Sequence, residues 1–415
     1  MSMEQQIERL YRQHSARVLA TLIRLTGDFD LAEEAMQEAF ASAVQQWPGE
    51  GVPEHPVAWL IRVGQRRGVD QIRRRQVIRR HAREQTPLEE ASLPAGLDAL
   101  ESLDAVTIQD DMLRLLFTCC HPALAMADRV ALTLREMCGL TTEQVAAALL
   151  ARPATLAQRI VRAKRRLREL GLPYEVPEAA ALPERLAGVL RVLYLVFNEG
   201  YSRSDGEALL DVSLAEEAIR TARALVELLP RGEAFGLLAL MLLHDARRAA
   251  RQGADGELVP LEEQDRGRWD RERIEQGLAC LARALELTPT GPYTLQASIA
   301  AVHAEAPRAE ATDWARIVRL YAALQRRQPS PVVALNQAVA VAMRDTPEAG
   351  LHQLATLGDE AALADYHLFH AARADLLRRA GRSDEALLAY RQALALCGQG
   401  AERRYLERRL AELEC

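Results

Sequence analysis

Aromatic residues make up only 5% of this 415-residue chain, and Thr, Ile and Phe are sparse against Ala, Leu, Arg and Glu. That scarcity of β-formers excludes a large sheet and favours helix almost throughout. Lysine is scarcer still: of 52 basic residues only Lys164 is one, so the positive charge is almost all guanidinium. No stretch reaches the roughly 18 uncharged apolar residues of a membrane span. The nearest, "FGLLALMLLH" (235–244), reads as a buried helix. The opening "MSMEQQIERLYRQHSARV" has no apolar run of signal-peptide type. Six cysteines in no regular framework suit free thiols in a reducing compartment, and the expected location is cytoplasmic. Phosphate-binding loops, nucleophile elbows and paired-carboxylate signatures are missing too, so no enzymatic role and no cofactor are expected. "CCHP" (119–122) lacks a second ligand pair at zinc spacing, and His367 and His370 in "YHLFH" read as a helix surface. No metal site is expected from either.

What the chain does have is a partition of charge. Residues 1–83 carry 13 basic against 10 acidic side chains, and within them 62–83 hold nine Arg against Asp70 alone. Residues 84–111 carry eight acids and no Lys or Arg, whereas 112–171 carry ten basic and four acidic residues. The remainder, 172–415, has a net charge of -7, within a total of -6. Two basic modules therefore flank an acidic connector. One such run is often only a solvated helix face; two in separate modules are the electrostatic footprint of nucleic-acid binding.

The second module reads as a helix-turn-helix. Val130, Leu134 and Met137 share one helical face, and Gly139 ends that helix. Thr141 stands three residues before Gln144, a capping-box start for a short Ala-rich helix. Arg152-Pro153-Ala154 breaks the chain before "TLAQRIVRAKRRLRE", where Leu156, Ile160, Ala163 and Leu167 form the buried stripe. Thr155, Gln158, Arg159 and Arg162 fall on another face, where a recognition helix meets base edges: Gln suits adenine and Arg suits guanine. Lys164, Arg165, Arg166 and Arg168 lie further along and are expected on phosphates. A basic helical hairpin without DNA is the alternative.

In the first module, "PVAWLIRVGQRRGVDQIRRRQ" (56–76) sets Trp59, Val63, Val69 and Ile72 on one side and arginines elsewhere, Arg62, Arg66, Arg73 and Arg74 among them. An aromatic at the start of a basic helix is what strand separation needs, since unpaired bases stack on it while arginines hold phosphates. It also serves as a core anchor, and spacing alone leaves both readings open.

Together with the preceding "LYRQHSARVLATLIRLTGDFDLAEEAMQEAFASAVQQW", this module resembles region 2 of extracytoplasmic-function (ECF) sigma factors, and the helix-turn-helix resembles their region 4. The resemblance covers roughly 1–172, and the rest resembles the helical-repeat extension of one subgroup. It implies an all-α protein of four parts: region 2 (1–83), an acidic linker (84–110), region 4 (111–172) and a helical-repeat regulatory domain (180–415). It also implies core RNA polymerase and promoter DNA as partners. "LAEEAMQEAF" (31–40) matches the segment that docks on the clamp of the largest polymerase subunit, with Glu34, Gln37 and Glu38 at polar positions and Leu31 where the family usually has Asp. "PGEGVPEHP" (48–56) occupies the loop that captures a flipped −10 base. Trp59, Arg62 and Asp70 match the melting helix, and Arg66 replaces a frequent Asn. Thr155, Gln158, Arg159 and Arg162 match the face reading the −35 element. The linker suits a basic channel, or is a solvated tether.

Beyond the Pro-rich "GLPYEVPEAAALP" (171–183), glycines at 200, 232, 291, 358 and 381 mark expected turns. "ARADLLRRAGRSDEALLAYRQALAL" (372–396) resembles a tetratricopeptide repeat, with weaker echoes at 277–289 and 331–354. Such stacks offer concave surfaces to a protein partner, or act as a structural cap. The alternative for the whole is a helix-turn-helix regulator with a ligand- or protein-sensing repeat domain, which leaves 1–83 unexplained.

Overall fold

The computed structural model describes residues 3–68, 105–149, 151–171, 174–201, 212–253, 255–287, 290–358 and 361–414. Every regular element among them is helical, apart from an isolated bridge between Gln252 and Leu258, as the composition leads one to expect. None of these helices is long and apolar enough to cross a membrane. The chain forms two compact units, Met1–Leu193 and Tyr194–Cys415.

The first unit contains α1 (Met3–Thr26), α2 (Phe29–Glu50), α3 (56–68), α4 (Ala105–Cys119), α5 (Met126–Glu136), α6 (Thr142–Ala148), α7 (Pro153–Glu169) and the first part of α8 (Leu182–Tyr201). The turn from α1 to α2 is set by Gly27 at a φ of +67° and by Asp28, whose carboxylate accepts the Leu31 N–H at 2.9 Å. Helix α3 lies so close to α1 and α2 that a Cβ on Gly64 would sit 2.8 Å from Leu22 Cδ1 and 3.3 Å from the Ala35 carbonyl. A larger residue there would have to displace the Leu22 side chain.

Helix α4 is fixed to α1 by a charge. Asp111 is fully buried and accepts the Arg24 Nε–H on both oxygens at 2.9 Å. Burial pushes its carboxyl up, with Arg24 opposing. The Tyr174 hydroxyl lies 3.2 Å from the Ala20 carbonyl and 3.1 Å from that of Asp111, fastening the Pro-rich segment back onto α1 and α4. Arg185 of α8 donates to the Phe117 carbonyl at 2.9 Å. The thiols of "CCHP" are core residues: Cys119 and Cys120 are both buried, and Cys120 Sγ contacts Thr133 Oγ1 at 3.4 Å.

The second unit continues through α9 (Val212–Leu228), α10 (Gly232–Asp245), α11 (Arg271–Glu286), α12 (Pro292–Glu305), α13 (Trp314–Arg327), α14 (Pro331–Arg344), α15 (Pro347–Ala355), α16 (Ala361–Ala364), α17 (His367–Arg379), α18 (Ser383–Leu396) and α19 (Gly400–Glu414). Its core is a relay. One apolar cluster joins α10, α11 and α12; the next joins α12, α13 and α14; a third runs from α14 to α17, and the last from α17 to α19. This is nearest-neighbour stacking of a helical solenoid. The tetratricopeptide-like stretch is the hairpin α17–α18, closed by Gly381 at φ +74° and packed through Ala374, Ala386, Ala389 and Ala393. Helix α10 is buried on all sides from Gly236 to Leu243, as its unbroken apolar run demands. Two expectations need correcting. Gly200 lies inside α8, not in a turn, and His370 is buried with Nε2 2.8 Å from the Ala364 carbonyl, not on a surface.

A cavity of about 650 Å³ opens within this unit. His303, Trp314, Tyr321, Asn336, Met343 and Arg379 are among its walls. The His303 ring meets Trp314 edge-on at 5.3 Å, and burial, with Arg247 and Arg266 nearby, pulls its imidazole down to about 3. Unfolded chain takes up that proton near pH 6.5 and folded chain only near pH 3, so between those values the unfolded state binds more protons. The second unit therefore loses about 1.4 kcal/mol of stability per pH unit from this residue as pH falls through that window. Urea unfolding at stepped pH checks it: His303→Gln flattens the slope, and an unchanged slope refutes the assignment.

Candidate nucleic-acid interface

Helices α5, α6 and α7 form the expected helix-turn-helix. Gly139, at φ +67°, lets the Leu140 N–H reach back to the Leu134 carbonyl at 3.2 Å and ends α5. Thr141 and Gln144 form the reciprocal capping box, with Thr141 N to Gln144 Oε1 at 2.9 Å and Gln144 N to Thr141 Oγ1 at 3.2 Å. Pro153 opens α7, and Leu156, Ile160, Ala163 and Leu167 are all buried.

The opposite side of α7 carries most of the residues expected at DNA. Thr155, Gln158, Arg162, Arg165 and Arg166 are exposed, and Arg159 is half-buried. Arg162 Nε lies 3.4 Å from its own helix's Gln158 carbonyl. Arg159 is held 3.6 Å from Asp128, and Arg165 pairs with Glu169 at 3.5 Å. The Arg165–Glu169 pair is intrahelical, exposed and weak, and the Arg159–Asp128 pair between α7 and α5 is long and half-buried.

Lys164 does something else. Its side chain is 8% exposed, and its ammonium sits 2.6 Å from Glu33 of α2 and 2.9 Å from Glu136 of α5, over the Phe29 ring. The expected phosphate contact is therefore corrected. Burial pulls the ammonium down, but the two carboxylates outweigh it and hold it above the usual lysine range. Glu136, almost wholly buried, is pushed up by desolvation against the pull of Lys164. Glu33 also takes Arg135 at 3.4 Å, and Asp30 takes Arg168 at 2.7 Å, so Arg168 too is engaged. These acids were not among the expected site residues. At 3.6 residues per turn Lys164 borders the buried stripe of α7, on the side away from Arg159, but that position names no partner.

Between α2 and α7 lies a cleft of about 430 Å³, with Glu34 and Gln37 on one wall and Val161, Lys164 and Arg168 on the other. Glu34 and Gln37 are exposed, and Glu38 is half-buried, 3.5 Å from Arg67. Leu31 is buried in the core of α2, and the acid next to it, Asp30, pairs with Arg168. The structure thus brings the expected polymerase-docking helix against the flank of the recognition helix.

On α3, Arg62 and Arg66 are exposed. Trp59 is half-buried and packs edge-on against the buried Trp47, ring centroids 5.3 Å apart. Its inward side is formed by Leu60, Ile61, Gly64, Gln65 and Gly68 rather than by Val63, which is half-buried. Arg73, Arg74, Asp70, Val69 and Ile72 lie outside the described residues.

Sequence comparison matches residues 10–78 to Sigma-70 region 2 and residues 114–167 to Sigma-70, region 4. A probable ECF RNA polymerase sigma factor, SigI of Mycobacterium tuberculosis, is 28% identical over 212 residues, 51% of this chain and 68% of that protein. The chain belongs to the ECF sigma factors. This sigma factor carries a C-terminal extension, of which residues 185–285 match a family of unknown function (DUF6596). An uncharacterized protein of Rhizobium meliloti is 44% identical over 403 residues, 96% of this chain and 93% of that one.

Proposed function

We propose that this sigma factor binds core RNA polymerase through the Glu34, Gln37 and Glu38 side of α2, reads a −35 element with α7 and opens a −10 element with α3. Region 2 occupies 1–83, the acidic linker 84–110, region 4 111–172 and the regulatory extension 180–415. The observation that carries this reading is the exposed face of α7: Thr155, Gln158 and Arg162 stand clear of the core, with Arg165 and Arg166 flanking them. Gln158 and Arg162 read bases, with Arg159 joining once it leaves Asp128, and Arg165 and Arg166 hold phosphates. Arg62, Arg66, Arg73 and Arg74 hold the −10 backbone. Since α2 shares its cleft with α7, docking of polymerase on α2 and release of α7 from Glu33 and Asp30 are coupled.

Opening about ten base pairs disrupts stacking worth on the order of 14 kcal/mol, at roughly 1.4 kcal/mol per step. Trp59 contributes by stacking on an unpaired base, an interaction worth about 1–3 kcal/mol. Trp59→Ala therefore slows promoter opening about tenfold while leaving closed-complex affinity within about twofold, and Trp59→Phe retains most of the rate. Permanganate footprinting beside gel-shift titration separates the two; wild-type footprints with Trp59→Ala refute the role.

The extension regulates initiation in cis and receives a protein partner on its stack. Run-off transcription with bacterial core polymerase, on DNA from upstream of the protein's own gene, tests the proposal. Full chain is compared with chain truncated after Leu193, where the first compact unit ends. Dependence of initiation on the protein is the expected result, and a difference between the two chains gives the direction of regulation. Specific DNA binding without initiation by either would instead favour a helix-turn-helix regulator.

A further inference from the structure

His367, Cys397 and Glu402 come from three separate points of the last helices: the first residue of α17, the C-cap of α18 and the first turn of α19. Their ligand atoms, an imidazole nitrogen, a thiol sulfur and a carboxylate oxygen, all lie within 4.8 Å of one another. His367 Nε2 is 2.8 Å from Glu402 Oε2, and Cys397 Sγ is 3.9 Å from the same oxygen. A zinc-type ion has ligand distances of about 2.0–2.3 Å, which at tetrahedral angles sets donors about 3.4–3.6 Å apart. The His–Glu pair must open by about 0.6 Å, and the Cys–Glu pair close by about 0.3 Å, to reach that spacing. We propose that His367, Cys397 and Glu402 form a binding site for a divalent transition-metal ion of zinc type.

The donor set and its frame support this. One nitrogen, one sulfur and one oxygen ligand suit borderline-soft zinc better than magnesium or calcium, which take oxygen alone. One carboxylate and one thiolate neutralise a dication, so the filled, half-buried site carries no net charge. The backbone around Cys397 is fixed: Arg403 donates to the carbonyls of Leu394 and Cys397 at 2.9 and 3.0 Å, and the Glu402 N–H is held by Gln399 Oε1 at 2.7 Å. Such outer contacts orient first ligands. Three protein ligands leave a fourth position for water. On binding, the Cys397 S–H bond breaks, a sulfur–metal bond forms, and the proton passes to solvent. In the metal-free chain His367 Nε2–H donates to Glu402; on binding, neutral His367 takes the tautomer with its proton on Nδ1 and gives the freed Nε2 lone pair to the ion.

The test uses reduced, chelator-treated full chain titrated with Co²⁺ and then Zn²⁺. One ion binds per chain, with a thiolate-to-cobalt charge-transfer band and visible tetrahedral absorption that Zn²⁺ abolishes, and one proton is released per ion. The thermal midpoint rises with free ion, since the ion binds the folded chain. Cys397→Ser removes the charge-transfer band. His367→Gln and Glu402→Gln weaken binding at least tenfold, while their circular dichroism without metal stays that of the parent. Should Cys397→Ser fail to fold, the sulfur, nitrogen and oxygen count from X-ray absorption of the parent–cobalt complex decides instead. The proposal is overturned by absence of one-to-one binding, by a sulfur-free first shell, or by a band that survives Cys397→Ser.

Discussion

Lys164→Met should destabilise the first unit by about 3–5 kcal/mol, although the substitution keeps the side chain's length and apolar stem. The cost arises in what remains behind. Glu136 is almost wholly buried, and without Lys164 its carboxylate has lost its nearest cation. Glu33 keeps Arg135 at 3.4 Å and is less affected. Hydrogen exchange on the full chain, read at the amides of α5 and α7, reports the loss locally. Adding Glu136→Gln to Lys164→Met should recover most of it, because the buried charge then disappears with its partner. Undiminished protection in the single variant would show that water or a rearranged Arg135 satisfies Glu136, and that the triad contributes little.

Arg162→Ala should weaken holoenzyme binding at the −35 element about tenfold or more, from a contact worth about 1–3 kcal/mol. Most of its discrimination among sequences at one base pair goes with it. Arg166→Ala, one turn on, should behave differently: weaker binding to every sequence alike, and a salt dependence shallower by about one ion. Gel-shift titration of both variants across salt concentrations, on the parent site and on single-base variants of it, separates a base contact from a phosphate contact. Equal losses on all sequences for Arg162→Ala would move that residue to the backbone, and leave Gln158 and Arg159 as the readers.

The reading of α7 shows where sequence is informative. Its stripe of Leu156, Ile160, Ala163 and Leu167, its proline start and the Thr141–Gln144 box are local patterns, and the fold keeps each of them. Lys164 could not be placed that way. Its partners Glu33 and Glu136 lie 131 and 28 positions away, and nothing local distinguishes a lysine facing carboxylates from one facing phosphate. The same limit holds for the last helices. By spacing His367 and His370 read as a helix surface, yet one turns to Glu402 and the other to a carbonyl of α16, through contacts that only the packing of α17 creates. The all-helical class followed from composition, and the relay of apolar clusters in the extension from no repeat clear enough to count.

Because Lys164 is the chain's single lysine, the protein carries one ε-amine, shut between two carboxylates at the junction of α2, α5 and α7. An amine-selective acylating reagent meets that nitrogen only when the junction parts. The rate of Lys164 modification, followed by mass spectrometry, is then a clock on the separation of region 2 from region 4. It runs without any engineered label, and it should run faster once polymerase draws α2 away from α7.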